Sequence, residues 1–595
     1  MSGSEQLESV RWNLADLVGD GGAAAIDALL DDAAARAGAF AQRYRGALES
    51  IDGAGLADAM HELAAIHDIV GRAESFAALD FSTDTTDPMR GALMARVEER
   101  ATPLAAALLF FDLEWAALTD ERAEQLLGHD GLDFCRHHLR TARRYRPHLL
   151  SEPEERVLTE KSISGVSAWA RLFGELTSSI VVSLEEDVTL DVALARLGSP
   201  SRDVRRDSAA AVTRALAPGL RTRAFIFNTL LIDKATDDRL RSYEHWLAAR
   251  NLGNEASDES VAALVAAVQG RYELARRWYR LKAKLLGIDR LADYDRMAPL
   301  ASDEVFVDWQ QARELVLDAY SAFSPRLGTL ATRFFDERWI DAPPSHGKRG
   351  GAFCAYTVPS VHPYVLLNFT GRRRDVLVLA HELGHGVHAA LASRQGIFHQ
   401  GTPLTLAETA SVFGEALTFG RLLESSPTPE ARLALLAEDI EGAIATVFRQ
   451  VAMNRFEHAV HRERREVGEL SVERFGELWA QTQSDLLGDA VEVTDDYRCW
   501  WSYIPHFINT PGYVYAYSYG QLLALAVYDR YLTQGAGFEE HYLELLSAGG
   551  SRSPEALGEL VGIDLADPGF WDRGLDLVER RLEAAEAAAE LVSAS

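Results

Sequence analysis

Histidine, glutamate and histidine stand at positions 381, 382 and 385 in the run DVLVLAHELGHGVHAALASR, an H-E-x-x-H pattern. On a helix four residues turn through about 400°, so the two imidazoles project about 40° apart, one turn along the axis. That is the bite a tetrahedral metal needs from two nitrogens at about 2.0–2.1 Å. Glu382, offset by about 100°, is too far round to be an easy third ligand but can reach a water on the metal. With 17 histidines and 89 acids in 595 residues, chance supplies about 0.07 His-acid-x-x-His matches, so one match has weight. The chain also holds a control. His61-Glu62-Leu63 begins the same way, but the next histidine, His67, comes six residues on and faces away from His61.

Two imidazoles leave a metal under-coordinated. A metzincin extension would need glycine at 388 and histidine at 391, where this chain has His388 and Leu391. The other solution is a glutamate from a following helix. No acidic residue lies between His385 and Glu408, the third residue of LAETASVFGEALTFG. Glu408 is therefore the chosen third ligand. Glu415, about 10.5 Å further along the same helical face, takes a supporting or structural role. His388 and His399 stand as rival ligands.

These side chains need a scaffold. Asp375 is placed to cap a helix whose apolar face is Val376, Leu379, Leu383 and Val387. The first two hundred residues show helical periodicity, and GSPSRD near Pro200 resembles a linker, giving an N-terminal helical lobe, 1–200, and a catalytic domain, 201–595. Helical patterns resume from about 205 and again from Asp375 to the end, apart from an irregular stretch near 490–515. Strands are expected only in 335–370, where GKRGGAFCAYTVPSVHPYVLLNFTG mixes glycine with β-branched and aromatic residues. Arg372-Arg373-Arg374 reads as a solvated loop, and Cys354 as a small buried residue. No fixed-period repeat occurs, which weighs against a solenoid.

Composition bounds the function. A formal charge of −29 disfavours nucleic acid, and only five of the 60 cations are lysine. Three cysteines cannot frame a chain this long and are expected to be reduced thiols. The opening MSGSEQLESVRW lacks an apolar signal core and the longest apolar run is far short of a membrane span, so a soluble, cytoplasmic protein without a membrane partner is expected. The sequence leaves oligomeric state open.

HELGHGVH, the downstream AETAS, HPYVLLNF ahead of the motif helix and the tyrosine-rich HFINTPGYVYAYSYGQ occur in that order over roughly 345–520. Together they resemble the thimet oligopeptidase and oligoendopeptidase F family of zinc metallopeptidases, with AETAS and PGYVYAYSYG closer to the oligoendopeptidase F branch. The resemblance implies a mainly α fold: a two-lobed helical ellipsoid with a deep central channel and a small β-sheet beside the zinc helix. It implies one Zn²⁺ per chain on His381, His385 and Glu408, with Glu382 as general base. His506 matches the family's late-loop histidine, and Tyr513 and Tyr517 match its tyrosines. The seven-residue interval from His506 to Tyr513 is longer than the five of the thimet branch. Gly350, Gly351, Ala352 and Phe353 match the family's substrate-pairing edge, and the partners implied are oligopeptides.

The residues support the same chemistry. Zinc on two neutral imidazoles and a carboxylate keeps a net positive charge and lowers the pKa of bound water toward about 7. Glu382 would accept that water's proton and pass it to the leaving amine. Phenol or imidazole donors would hold the oxyanion; Tyr513, Tyr515, Tyr517 and Tyr519 alternate here, and a packed aromatic segment is the competing explanation. An exposed edge beside Gly350-Gly351 would let an extended peptide add as a strand, whereas a plain hairpin turn is the alternative. The expected activity is that of a zinc oligoendopeptidase attacking internal bonds of short unfolded peptides. The alternatives are a zinc carboxypeptidase using Arg372–Arg374 as a carboxylate clamp and a non-catalytic peptide-binding relative.

Overall fold

The computed structural model describes residues 7–594 apart from 20, 163, 301–305, 536, 566 and 568. Helices dominate, and the strands are short. Two compact units form, each assembled from three stretches of chain. The first takes the described residues of Met1–Arg146, Glu304–Glu424 and Val527–Asp564; the second takes those of Pro147–Asp303, Ser425–Ala526 and Leu565–Ser595. Residue 200 therefore lies inside the second unit, not at a limit of either. Pro200 precedes a helix, Arg202–Leu216, whose buried Ala209, Val212 and Leu216 share one core with Leu190 and Leu197 upstream, so the chain turns there without leaving its unit.

In the first unit, helices Ala23–Tyr44, Gly53–Thr83 and Pro88–Ala117 bury Phe40, Met60, Ile66, Phe111 and Trp115 against one another. His61 belongs to this ordinary packing, its ring stacked on Phe134 at 4.1 Å. A three-stranded sheet packs nearby. Ile340–Asp341 runs parallel to Tyr364–Leu366, and Phe353–Ala355 pairs antiparallel on the other side with Cys354 opposite Val365. The middle strand is buried throughout, and Tyr364 and Leu366 share a core with Trp12, Ile26 and Leu30.

The second unit is built around aromatic packing of Phe227, Phe456, Phe475, Trp479, Trp501 and Phe507. Two strand pairs escaped sequence reading: Val181–Ser183 with Asp187–Thr189, and Leu291–Ala292 with Val491–Glu492. Each strand has two or three residues, too few to display an alternation against flanking helical patterns. Among the described residues no single helix is long and apolar enough to cross a membrane.

Candidate metal centre and active site

The motif helix spans Arg373–Ala392, beginning two residues before Asp375. Asp375 caps from inside the first turn: one carboxylate oxygen accepts the N–H of Thr370 at 2.7 Å, the Thr370 hydroxyl at 2.8 Å and the N–H of Arg372 at 3.2 Å. Such a carboxylate satisfies amides that the helix itself cannot. The Arg372–Arg374 run, expected as a loop, is thus the start of this helix. Tyr320 braces the helix by donating its hydroxyl to the Ala380 carbonyl at 2.7 Å.

The next helix, Leu404–Ser425, crosses at Gly384. A Cβ at Gly384 would stand 2.5 Å from the Ala410 carbonyl oxygen and 2.6 Å from Ser411 Cα. Backbone thus meets backbone, and Glu408 comes within reach of both histidines. His381 Nε2 lies 3.3 Å and His385 Nε2 3.6 Å from the same Glu408 oxygen. One donor atom from each of the three residues lies within 4.8 Å of the others. Donors about 2.0–2.1 Å from a tetrahedral ion stand about 3.3 Å apart, so two imidazoles and a carboxylate at these separations fit one such ion. On the far side of His381, Nδ1 lies 3.2 Å from a Glu415 oxygen.

The electrostatics follow from burial and close charges. Burial opposes ionisation of Glu408, but the hydrogen bond and charge of His381, aided by His385 and Ser411, hold its carboxyl down at about 2. Burial pushes His385 down to about 4. Glu382 is 8% exposed, and burial raises its carboxyl to about 7 although the His381 charge and the Cys354 N–H pull the other way. A carboxylate poised near neutrality is suited to accept and return a proton.

The cluster opens into a cavity of about 440 Å³ lined by Ala352, Phe353, Cys354, Tyr356, His381, Glu382, His385, Glu408 and their neighbours. Of the four residues expected at the substrate edge, Ala352 and Phe353 line it. Gly350 and Gly351 stand ahead of the strand in a turn, where Gly351 has φ +80° and its carbonyl accepts from the Asn368 amide at 2.8 Å. Strand Phe353–Ala355 pairs on one side only within its sheet. Cys354, expected as a small buried residue, is half-buried and borders the cavity.

Tyr356 escaped sequence reading. Its ring centroid is 6.4 Å from those of both His385 and His388, and burial, followed by the charges of Cys354, Glu408 and Glu382, raises its phenol well above the ordinary value. No spacing marked it, since Tyr356 follows the end of strand Phe353–Ala355. The rival ligands lie elsewhere. His388 is buried on the motif helix outside the donor cluster, and His399 Nε2 accepts the His138 N–H at 3.1 Å.

In the second unit, helix His506–Asn509 is seated by buried Phe507 and Ile508, and helix Tyr515–Gln534 follows after a turn. The four tyrosines split into two pairs. Tyr515 and Tyr519 are fully buried; the Tyr515 hydroxyl meets the Asn254 amide at 2.9 Å and that of Tyr519 meets Ser260 Oγ at 3.0 Å. Tyr513 and Tyr517 are half-buried, their rings edge to face at 5.0 Å, and the Tyr517 hydroxyl lies 3.2 Å from His506 Nε2. These are the two tyrosines matched to the family motif; Tyr513 stands two residues ahead of the helix and Tyr517 in its first turn, with ring centroids 6.2 and 5.9 Å from that of His506.

Known peptidases are similar to this chain in sequence and fold. The model of peptidase family M3 matches residues 320–577, and a second model, oligopeptidase F, matches 114–181. Oligopeptidase PepF of Bacillus subtilis is 26% identical over 560 residues, covering 91% of this chain and 82% of that protein. Group B oligopeptidase PepB of Streptococcus agalactiae is 26% identical over 73% of this chain and 74% of its own. Among solved structures, one from Chlamydophila abortus superposes with a TM-score of 0.85 at 23% identity, covering 97% of this chain and 98% of its own. Oligoendopeptidase-F from Enterococcus faecium superposes at 0.72 and 23% identity, covering 95% and 98%. With the two family models falling on the cavity-bearing stretch and the segment ahead of it, the chain belongs to peptidase family M3, in its oligopeptidase F group, and is a metalloendopeptidase.

Proposed function

We propose that this chain is a zinc-dependent oligoendopeptidase that hydrolyses internal bonds of short, extended peptides. The observation that carries the reading is the convergence of His381, His385 and Glu408 in one cavity that Glu382 also lines. When bound, zinc supplies Lewis-acid polarisation of the scissile carbonyl and a water acidic enough to ionise near neutral pH. His381, His385 and Glu408 would hold it, one zinc per chain. Glu382, oriented by the Cys354 N–H, takes the proton of the attacking water and returns it to the leaving amine. The free edge of Phe353–Ala355 offers main-chain hydrogen bonds to a peptide lying as an added strand, which gives affinity with little dependence on sequence. His506, Tyr513 and Tyr517 are assigned to stabilising the oxyanion, an assignment supported by motif spacing and by their contacts with one another.

Peptides of graded length, N-acetylated and C-amidated, test the reading when incubated with and without a chelator. Internal cleavage that stops on chelation is expected. Blocked peptides left intact while free C termini are trimmed would turn the reading into a carboxypeptidase. No cleavage of any peptide by the metal-loaded protein would leave only peptide binding.

A further inference from the structure

Glu457 lies on helix Arg449–Glu466 in the second unit and is fully buried. One of its oxygens accepts the backbone N–H of Gly512 at 2.8 Å, and the other is buried with no hydrogen-bond partner. A buried carboxyl with a single amide partner is costly, and an apolar side chain would pack there more cheaply. The arrangement makes sense where the amide must be held in place.

Gly512 sits in the turn between His506 and Tyr517. It has φ +74°, in the left-handed region, and a Cβ there would stand 2.5 Å from Leu247 Cδ1. The turn is closed by the Thr510 N–H on the His506 carbonyl at 3.0 Å and the Tyr513 N–H on the Thr510 carbonyl at 3.1 Å. From outside it is pinned twice, by Arg250 Nε on the Pro511 carbonyl at 3.4 Å and by Glu457 on the Gly512 amide. Without Glu457, that amide would be a buried donor lacking an acceptor, and the turn would shift to satisfy it.

We propose that Glu457 is a positioning residue that holds the Gly512 turn and so sets the distance between His506 Nε2 and the Tyr517 hydroxyl. The proposal rests on the reading that this pair serves the hydrolytic step. A displacement of about 1 Å in a catalytic group costs up to about a hundredfold in rate.

The test uses the full-length, zinc-loaded protein and a doubly blocked, internally quenched peptide, comparing Glu457→Leu, Glu457→Gln, Tyr517→Phe and the Glu457→Leu/Tyr517→Phe double variant. Glu457→Leu is expected to lower kcat by about ten- to a hundredfold with KM and bound zinc unchanged. Glu457→Gln, which keeps an oxygen for the Gly512 amide, is expected to restore most of kcat. The double variant is expected to be no slower than the worse single variant, because both act through one pair. Should Glu457→Leu fail to fold, Gly512→Ala disturbs the same turn from the Leu247 side and is expected to give the same loss confined to kcat. A slow Tyr517→Phe beside a fully active Glu457→Leu, or multiplicative losses in the double variant, would overturn the proposal while leaving the catalytic pair standing. Wild-type kcat in Tyr517→Phe would overturn the reading of the pair, and the proposal with it.

Discussion

Glu415 holds the far nitrogen of His381: its carboxylate lies 3.2 Å from Nδ1, while Glu408 lies 3.3 Å from Nε2 on the other side of the same ring. A proton on Nδ1 donated to Glu415 leaves the Nε2 lone pair aimed at the donor cluster. Glu415→Ala is therefore expected to weaken metal affinity by about 10–100-fold while leaving all three donors present. Competition against a chromophoric chelator measures this, and an unchanged affinity would remove Glu415 from any role at the centre.

Glu408→Ala takes away the only carboxylate in the donor cluster. Metal content after dialysis should fall well below that of the parent chain, and peptide cleavage with it. A variant that retained its metal would require a different third ligand.

Glu382→Gln keeps the shape of the side chain and removes its ability to carry a proton. Turnover is expected to fall by about 10²–10⁴-fold with bound metal unchanged. Steady-state kinetics beside metal analysis separates this outcome from loss of the ion, and full turnover would exclude Glu382 as the base.

Gly384→Ala tests the helix crossing. The added methyl would meet the Ala410 carbonyl at 2.5 Å, so the two helices must part. A stability loss of about 1–3 kcal/mol is expected, with weaker metal binding because Glu408 rides on the displaced helix. Thermal melts with and without metal would report both, and an unchanged melting temperature would mean that the contact yields freely.

His399 and His138 predict an acid-sensitive fold. Burial, helped by neighbouring histidine charges, lowers each to about 4 from an ordinary value of 6.5. His399 must also keep its Nε2 lone pair free to accept the His138 N–H. Below about pH 6.5 the unfolded chain takes up protons that the folded chain refuses, so stability is complete above that value and drains away as pH falls toward 4. A histidine moved this far contributes up to about 3 kcal/mol. The melting temperature should drop between pH 7 and pH 5, and less steeply in His399→Gln; parallel pH profiles would exclude His399 as a source.

The grouping of His381, Glu382 and His385 was legible in the sequence because its geometry is local: one helix fixes the angle between residues 381 and 385 whatever surrounds it. Glu408 could be named as the first acid downstream, but only the tertiary structure decided that it arrives, since arrival depends on Gly384 letting two backbones touch. Alternating tyrosines in 513–519 suggested donors without sorting them. The pairing into buried 515/519 and half-buried 513/517 followed from where the helix begins and which face meets the core. Tyr356 and Glu457 carried no sequence signal, since a lone tyrosine after a strand and a lone glutamate on a helix are ordinary. Their surroundings come from distant segments of chain, Tyr356 beside the motif helix and Glu457 beneath the Gly512 turn, and such encounters are fixed by packing, not by spacing.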